Sequence, residues 1–309
     1  MGSTQESPDI CTEWYPIRQF LSYPGYDFAL IILNQPIIDE GLFRDLWRIA
    51  QTRVAADGGA NQIYDLNRRS LLTEKDSPSS ASGNYVNLNT IIGDLDSLSD
   101  ESRRFFTTKP AECTIIRDPD QYSTDFAKAV KFVRMAFPQR DIVCMGGLGG
   151  RVDQGLSQLH HLYLFQTSPT YADGKMFFLS GESLSFLLKA GKHRIHVREP
   201  DAIVGDFVRM NGEPFAKYVG IIPVKEPSVI TTKGLEWDVE NWPTEFGGQM
   251  STSNHLLPET KVVEVETTKD VLFTVALKSA ESGNLSTGPH CVLVGRSRLN
   301  EVSDSSKAG

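Results

Sequence analysis

Two carboxylates one residue apart, Asp94 and Asp96, stand in Gly93-Asp94-Leu95-Asp96-Ser97, directly after a short apolar run. Hard oxygen ligands of this kind suit Mg²⁺, provided the loop turns so that both face one point. The same residues also read as an Asp-rich turn before a helix opened by Ser99 and Asp100. A third carboxylate, Asp125, closes Asp120-Gln121-Tyr122-Ser123-Thr124-Asp125 at the start of a helical pattern. The helix dipole favours an anion there without any function, yet Asp125 could also complete a metal site with Asp94 and Asp96.

A glycine-rich stretch follows: Gly146-Gly147-Leu148-Gly149-Gly150-Arg151-Val152-Asp153-Gln154. Between a strand and a helix, such glycines let the backbone approach a ligand and aim N–H groups at phosphate. Arg151 adds a forked donor for phosphate oxygens, while Asp153 also suits a helix N-cap. The stretch is not a dinucleotide fingerprint, because Val152 takes the place of the third glycine, and no GxxxxGK[ST] motif occurs in the chain. Farther on, Trp237 and Trp242 lie near Gly247-Gly248 and Ser251-Thr-Ser-Asn254. They read either as an aromatic wall for a flat cationic heterocycle or as core aromatics of a β-sandwich. His160 falls on an apolar helical stripe and reads as core. His193 and His196 point to opposite sides of a strand, and no Ser-His-Asp or Cys-His set can be argued from order alone.

The elements that must hold these groups are legible in the hydropathy. Phe28–Leu33 is a continuous apolar run, the mark of a strand buried on both faces. Helical spacing over 42–51 follows it. Short strands are expected at 54–56, 90–92 and 142–145, with helices over 125–137 and 153–166. Asp57, Asp94 and Gly146 then all fall at strand ends, where ligands sit in parallel sheets. Alternating strands and helices predict a mainly parallel α/β domain over 26–172. From 173 to 297 the helical period disappears. Short strand-like runs at 176–179, 184–188, 193–197, 203–208, 218–224, 262–266 and 271–277 predict an all-β sandwich. Residues 1–25 read as a polar, aperiodic extension, 74–84 as a Ser-rich surface insertion, and 298–309 as a polar tail.

Composition narrows the function. With 40% hydrophobic residues the 309-residue chain is long and apolar enough for one large domain or two ordinary ones, and a disordered chain is excluded. A net charge of −8 offers no basic field for a nucleic-acid backbone. The four scattered cysteines show no CxxC spacing, which argues against a disulfide framework or zinc knuckle. No stretch approaches the length of a membrane span, and no secretory pattern opens the chain. A cytoplasmic protein without nucleic-acid or membrane partners is expected.

Taken together, five motifs resemble one family. Ala56-Asp-Gly-Gly-Ala-Asn61, Gly93-Asp-Leu-Asp-Ser97, Asp120-Gln121 with Thr124-Asp125-Phe126, Gly146–Gln154 and Ser251-Thr-Ser-Asn254 occur in this order. They are similar to those of eukaryotic thiamine pyrophosphokinases, over about residues 28–277. The resemblance implies an α/β domain, a β-sandwich, and a homodimer with sites at the subunit interface. The implied reaction is ATP + thiamine → AMP + thiamine diphosphate. Carried over by motif, Asp94, Asp96 and Asp125 would hold Mg²⁺. Gln121, Arg151 and Asp153 would surround the phosphates and substrate, with Gly147 in the loop beside them. Asp57, Gly58 and Gly59 would line the nucleotide end, and Ser253 and Asn254, with Trp237, the thiamine side. Two rival readings are a phosphohydrolase with an aspartyl nucleophile in Asp94-Leu95-Asp96 and a thiamine sensor without catalysis. The first lacks the usual apolar residue where Gly93 stands; the second would not need three carboxylates and a Gly-Arg loop.

Overall fold

An apolar residue at every position from Phe28 to Ile32 demands cover on both sides, and the computed structural model provides it. The structure describes residues 11–16, 18, 26–73, 84–108, 112–198 and 214–278. The first half contains β1 (Cys11–Trp14), β2 (Phe28–Ile32), α1 (Glu40–Ile49), β3 (Thr52–Ala56), α2 (Gly59–Thr73), β4 (Thr90–Gly93) and α3 (Asp100–Thr107). It continues with β5 (Thr114–Arg117), α4 (Asp125–Ala136), β6 (Asp141–Met145) and α5 (Val152–Phe165). Strands then follow without helices: β7 (Met176–Leu179), β8 (Ser183–Leu188), β9 (Gly191–His196), β10 (Phe215–Ile222) and β11 (Ser228–Lys233). The last are β12 (Trp242–Thr244), β13 (Ser251–His255), β14 (Val262–Thr267) and β15 (Val271–Leu277).

One sheet of ten strands runs through both halves in the order β13-β10-β15-β8-β7-β6-β2-β3-β4-β5. From β7 to β5 every neighbouring pair is parallel; from β7 to β13 every pair is antiparallel. A second sheet, β1-β9-β14-β11-β12, packs on the antiparallel half. The sandwich core between them joins Ile195, Ile230, Val263 and Val265 to Leu184, Phe186, Val219 and Phe273.

Period-two alternation in β2 explains the two helical layers. Phe28, Leu30 and Ile32 face α1 and α2 through Phe43, Leu46, Ile63 and Leu66. Ala29 and Ile31 face α4 and α5 through Phe126, Ala129, Val130, Val133 and Leu162. β2 lies between β3 and β6, so the chain reverses its direction of travel there and opens a crevice at the strand ends.

Several expectations need correction. Residues 11–14, read as part of an aperiodic extension, form β1, parallel to β9. Its pairing partner lies some 180 residues away, so no local pattern marks it. The predicted run at 203–208 and the insertion at 74–83 lie outside the described residues. His160, expected in the core, is exposed and His161 is buried instead. The stripe expected on α5 (Leu156, Leu159, His160, Tyr163 and Leu164) is split: Leu159 and Tyr163 pack against the core, Leu156, His160 and Leu164 are exposed, and Gln158, His161 and Leu162 are buried.

Candidate active site

At the crevice beside β2, a cavity of about 560 Å³ opens between the β-strand ends and the first turns of α4 and α5. Asn34, Asp57, Asp94, Gln121, Asp125 and Arg151 are among its lining residues. Each is delivered by an element end. Asp57 follows β3, Asp94 follows β4, Asp125 opens α4, and Arg151 is the N-cap of α5.

The two carboxylates of the Gly93–Ser97 loop do face one point, and the backbone shows why. Leu95 stands at φ 68, the left-handed region a branched side chain rarely adopts, which turns the loop between them. Asp96 N–H donates to Asp94 Oδ1 at 3.1 Å, closing the turn. Parallel pairing of β3 with β4, with Ala56 opposite Ile92, then brings in Asp57. Oxygens of Asp57, Asp94 and Asp96 lie within 4.8 Å of one another. Asp57 also stands in the left-handed region, at φ 42, and its Oδ2 accepts Ser97 N–H at 3.0 Å. Its Oδ1 is buried without a hydrogen-bond partner among the described residues. Burial, and then the carboxylates of Asp125, Asp96 and Asp94, push the Asp57 carboxyl up to about 6. Asp94 is held below its ordinary value by the Asp96 N–H and then the Gln121 amide, which donates to Oδ2 at 3.1 Å.

Asp125 plays a different part. Its Oδ1 accepts Asp94 N–H at 3.1 Å and the ammonium of Lys128 at 3.2 Å. Lys128, one helical turn on, has a side chain only 1% exposed. A buried ammonium needs a partner, and here it offsets one charge of four crowded carboxylates. Of the expected trio, Asp94 and Asp96 group with Asp57, while Asp125 lines the same cavity and holds the loop through Asp94 N–H. Hard carboxylate oxygens with one unsatisfied buried atom fit a divalent ion such as Mg²⁺.

On the opposite wall, Gly146, Gly147, Arg151, Gln154 and Gln158 line the cavity. Positions 151, 154 and 158 share one face of α5. Arg151 and Asp153 form a two-pronged pair, with Nε–Oδ1 at 3.1 Å and Nη2–Oδ2 at 2.5 Å. Asp153 is exposed, lies in the first turn of α5 rather than at its N-cap, and stands outside the cavity lining. Gly58 lines the cavity; Gly59 instead backs onto β2, where a Cβ would stand 2.2 Å from the Ile32 carbonyl oxygen.

The second group of expected residues is elsewhere. Trp237, Ser253 and Asn254 lie at β13 and the loop beside it, seven strand positions from β3. At about 4.8 Å per strand that is roughly 34 Å along the sheet. Asn254 is buried and clamps the loop: its Oδ1 accepts Trp237 N–H at 3.1 Å and its Nδ2 donates to Trp237 O at 2.9 Å. Trp237 keeps 46% of its surface exposed. Lys128, Gln158 and His161 escaped the sequence reading. For Lys128 a signal was present, a lysine three residues after Asp125 on a helix face otherwise apolar.

Comparison with known proteins covers most of the chain. Residues 43–172 match the family model described as thiamin pyrophosphokinase, catalytic domain, and 192–272 match its vitamin B1 binding domain. Thiamine pyrophosphokinase 3 of Oryza sativa subsp. japonica is 32% identical over 261 residues, covering 82% of this chain and 88% of that protein. The Saccharomyces cerevisiae thiamine pyrophosphokinase is 27% identical over 308 residues, covering 83% and 88%. In fold, the chain is similar to yeast thiamin pyrophosphokinase, with a TM-score of 0.70 at 24% identity over 90% of this chain and 94% of that one. The Candida albicans structure gives a TM-score of 0.69 at 24% identity over 88% and 95%. With the acidic loop, the glycine-Arg turn and both domains matched in one order, the chain belongs to the thiamine pyrophosphokinase family.

Proposed function

We propose that this protein transfers the pyrophosphoryl group of ATP to the hydroxyl of thiamine, giving thiamine diphosphate and AMP. The carrying observation is the juxtaposition of Asp57, Asp94 and Asp96 with the Gly146–Arg151 loop across one cavity. Such a transfer is chiefly positioning and charge neutralisation. Asp57, Asp94 and Asp96 would hold Mg²⁺, which supplies neutralisation of the polyphosphate charge. Asp125 anchors their loop through Asp94 N–H. Arg151 offers its guanidinium to phosphate oxygens, and the glycines give the backbone close approach. Asp153 holds Arg151 at the mouth of α5. It is itself kept below the usual carboxylate range by the Arg151 hydrogen bond, which makes it a poor proton acceptor. Incubation with ATP, Mg²⁺ and thiamine, followed by separation of products, tests the reading. AMP and thiamine diphosphate in equal amounts support it; free phosphate points to a phosphohydrolase, and unchanged ATP to a binding protein.

The thiamine side belongs to Trp237, with Ser253 beside it and Asn254 fixing the tryptophan's backbone. The span of sheet between these residues and the aspartates supports a homodimer in which one subunit's β-sandwich closes the partner's cavity. Apolar surface favours the same arrangement. Val152, Leu156 and Leu164 on α5, and Tyr218, Trp237 and Phe246 in the β-sandwich, are all exposed. The domains are taken as an α/β domain from 26 to 172 and a β-sandwich from 173 onward, the latter including β1 and ending, among the described residues, with β15. No helix among the described residues is long and apolar enough to cross a membrane. Among the described residues Cys113 and Cys144 form no disulfide, in keeping with a reducing, cytoplasmic setting.

A further inference from the structure

Behind the start of α4 lies a contact that none of these roles uses. Thr124 caps the helix, its Oγ1 accepting Ala127 N–H at 3.1 Å. The hydroxyl still has a proton to give, and His161 Nε2 lies 2.9 Å from it. The other ring nitrogen, Nδ1, is 2.6 Å from the Ser157 carbonyl oxygen, which can only accept. Nδ1 therefore carries the ring proton and Nε2 is the acceptor. His161 is 5% exposed. Phe126 meets the ring edge-on at 5.4 Å and Phe165 stacks on it at 6.1 Å, so the imidazole is held in this orientation. The contact ties α5 to the first turn of α4. The next residue, Asp125, carries the tie onward by accepting Asp94 N–H.

We propose that His161 is a positioning residue for the divalent-ion site: by taking the Thr124 hydroxyl it fixes the start of α4, and through Asp125 it fixes the Asp94–Asp96 loop. The inference rests on the reading of Asp57, Asp94 and Asp96 as that site. His161 touches neither ion nor substrate in this role. A cap needs only the oxygen of Thr124; the imidazole adds a defined direction for the hydroxyl and a second helix as support. Groups behind a ligand set act in this way, and their loss typically weakens metal binding by about 10–100-fold.

The test uses Mn²⁺ as the probe, with the full chain and no substrate present, read by electron paramagnetic resonance. Leucine at 161 keeps bulk and removes the acceptor, so His161→Leu should weaken Mn²⁺ by about tenfold. His161→Gln, with an amide oxygen in place of Nε2, should recover most of that loss. Thr124→Ser should bind as wild type, and Thr124→Val should fall with His161→Leu. The double variant His161→Leu/Thr124→Val should be no weaker than Thr124→Val alone, because valine at 124 already removes the bond to His161 along with the Ala127 cap. A folded His161→Leu protein within twofold of wild type would overturn the proposal. Should that variant fail to fold, equal Mn²⁺ affinity in Thr124→Ser and Thr124→Val overturns it instead. Asp94→Asn separates the two levels: unchanged Mn²⁺ binding there rejects the metal site itself, and the proposal with it.

Discussion

Gly93 shows how little room the acidic group has. A Cβ there would stand 2.7 Å from Asp57 Cβ and 2.8 Å from Asp125 Oδ1, closer than real side chains tolerate. Gly93→Ala must therefore push both carboxylates from their places. We expect turnover with ATP and thiamine to fall by at least about two orders of magnitude, roughly 2.7 kcal/mol of barrier. The folded state should lose about 1–3 kcal/mol, as overpacked sites do. Steady-state kinetics and urea unfolding of the same variant check the two numbers. Asp57 gives a second prediction. Only its ionised form can bind a cation, and its carboxyl stands near 6. Mn²⁺ affinity should be flat above about pH 7 and fall by up to about tenfold per pH unit below 6, as the proton competes. Asp57→Asn should weaken binding and flatten that slope; a wild-type profile flat from pH 7 to 5 would reject Asp57 as ligand. Asp94, Asp96 and Asp125 were visible as carboxylates near predicted element ends. The entry of Asp57 into the group was not, because only the register of β3 on β4 sets it beside Asp94, and register is not written in either strand alone.

At the scale of elements, β1 is the least legible piece and one of the best anchored. Trp14 is fully buried, stacks on Phe186 with ring centroids 4.5 Å apart, and donates its indole N–H to His193 Nδ1 at 3.1 Å. His193 Nε2 lies 2.7 Å from the Lys189 carbonyl oxygen, so the ring is neutral with its proton on Nε2. Trp14→Ala should cost about 3–5 kcal/mol of stability while leaving the KM for ATP within about twofold; loss of ATP affinity at preserved stability would contradict a purely structural strand. Burial lowers the His193 pKa. The unfolded imidazole, at about 6.5, takes up a proton before the folded one does. The stabilising contribution is therefore whole above pH 6.5 and disappears as pH falls through the lower folded value. Urea midpoints measured from pH 7.5 to 5 should drop more steeply in wild type than in His193→Gln. In the parallel half β2, β3, β4, β6, α1, α4 and α5 were readable as short apolar runs or helical periods closed by Gly, Pro or a cap, whereas α2 and β5 were not anticipated. For α5 the helix was legible but its facing only in part: Leu159 and Tyr163 pack against the core, whereas Leu156 and Leu164 are exposed and the buried face carries Gln158, His161 and Leu162.

The whole molecule joins these pieces by one continuous sheet, and the sheet is what keeps the two groups of site residues apart. Both groups could be found in the sequence, but the distance between them could not, since it depends on β7 and four antiparallel strands beyond it being added to the β6 side of the sheet in a non-sequential order. A single chain thus cannot bring Trp237 to its own Asp94 without breaking that sheet. In the proposed homodimer, two-fold pairing of the exposed apolar faces on α5 and around Trp237 would do so and give two equivalent composite sites. Complementation decides the matter. An Asp94→Asn subunit and a Trp237→Ala subunit, each inactive alone, are mixed under conditions that exchange subunits, with exchange followed by a mass tag on one of them. In a heterodimer with shared sites, one site collects both lesions and the other has neither, so about half of the wild-type activity per dimer should return. If each site lies within one chain, every site keeps a lesion and the exchanged mixture stays dead. Trp237 suits this experiment better than Asn254, because its ring is half exposed and its removal leaves the loop clamp to Asn254 intact through backbone atoms alone. Activity restored in proportion to the heterodimer fraction is the expected result; dead mixtures with confirmed exchange would confine the site to one chain and leave the acidic cavity as the place of reaction.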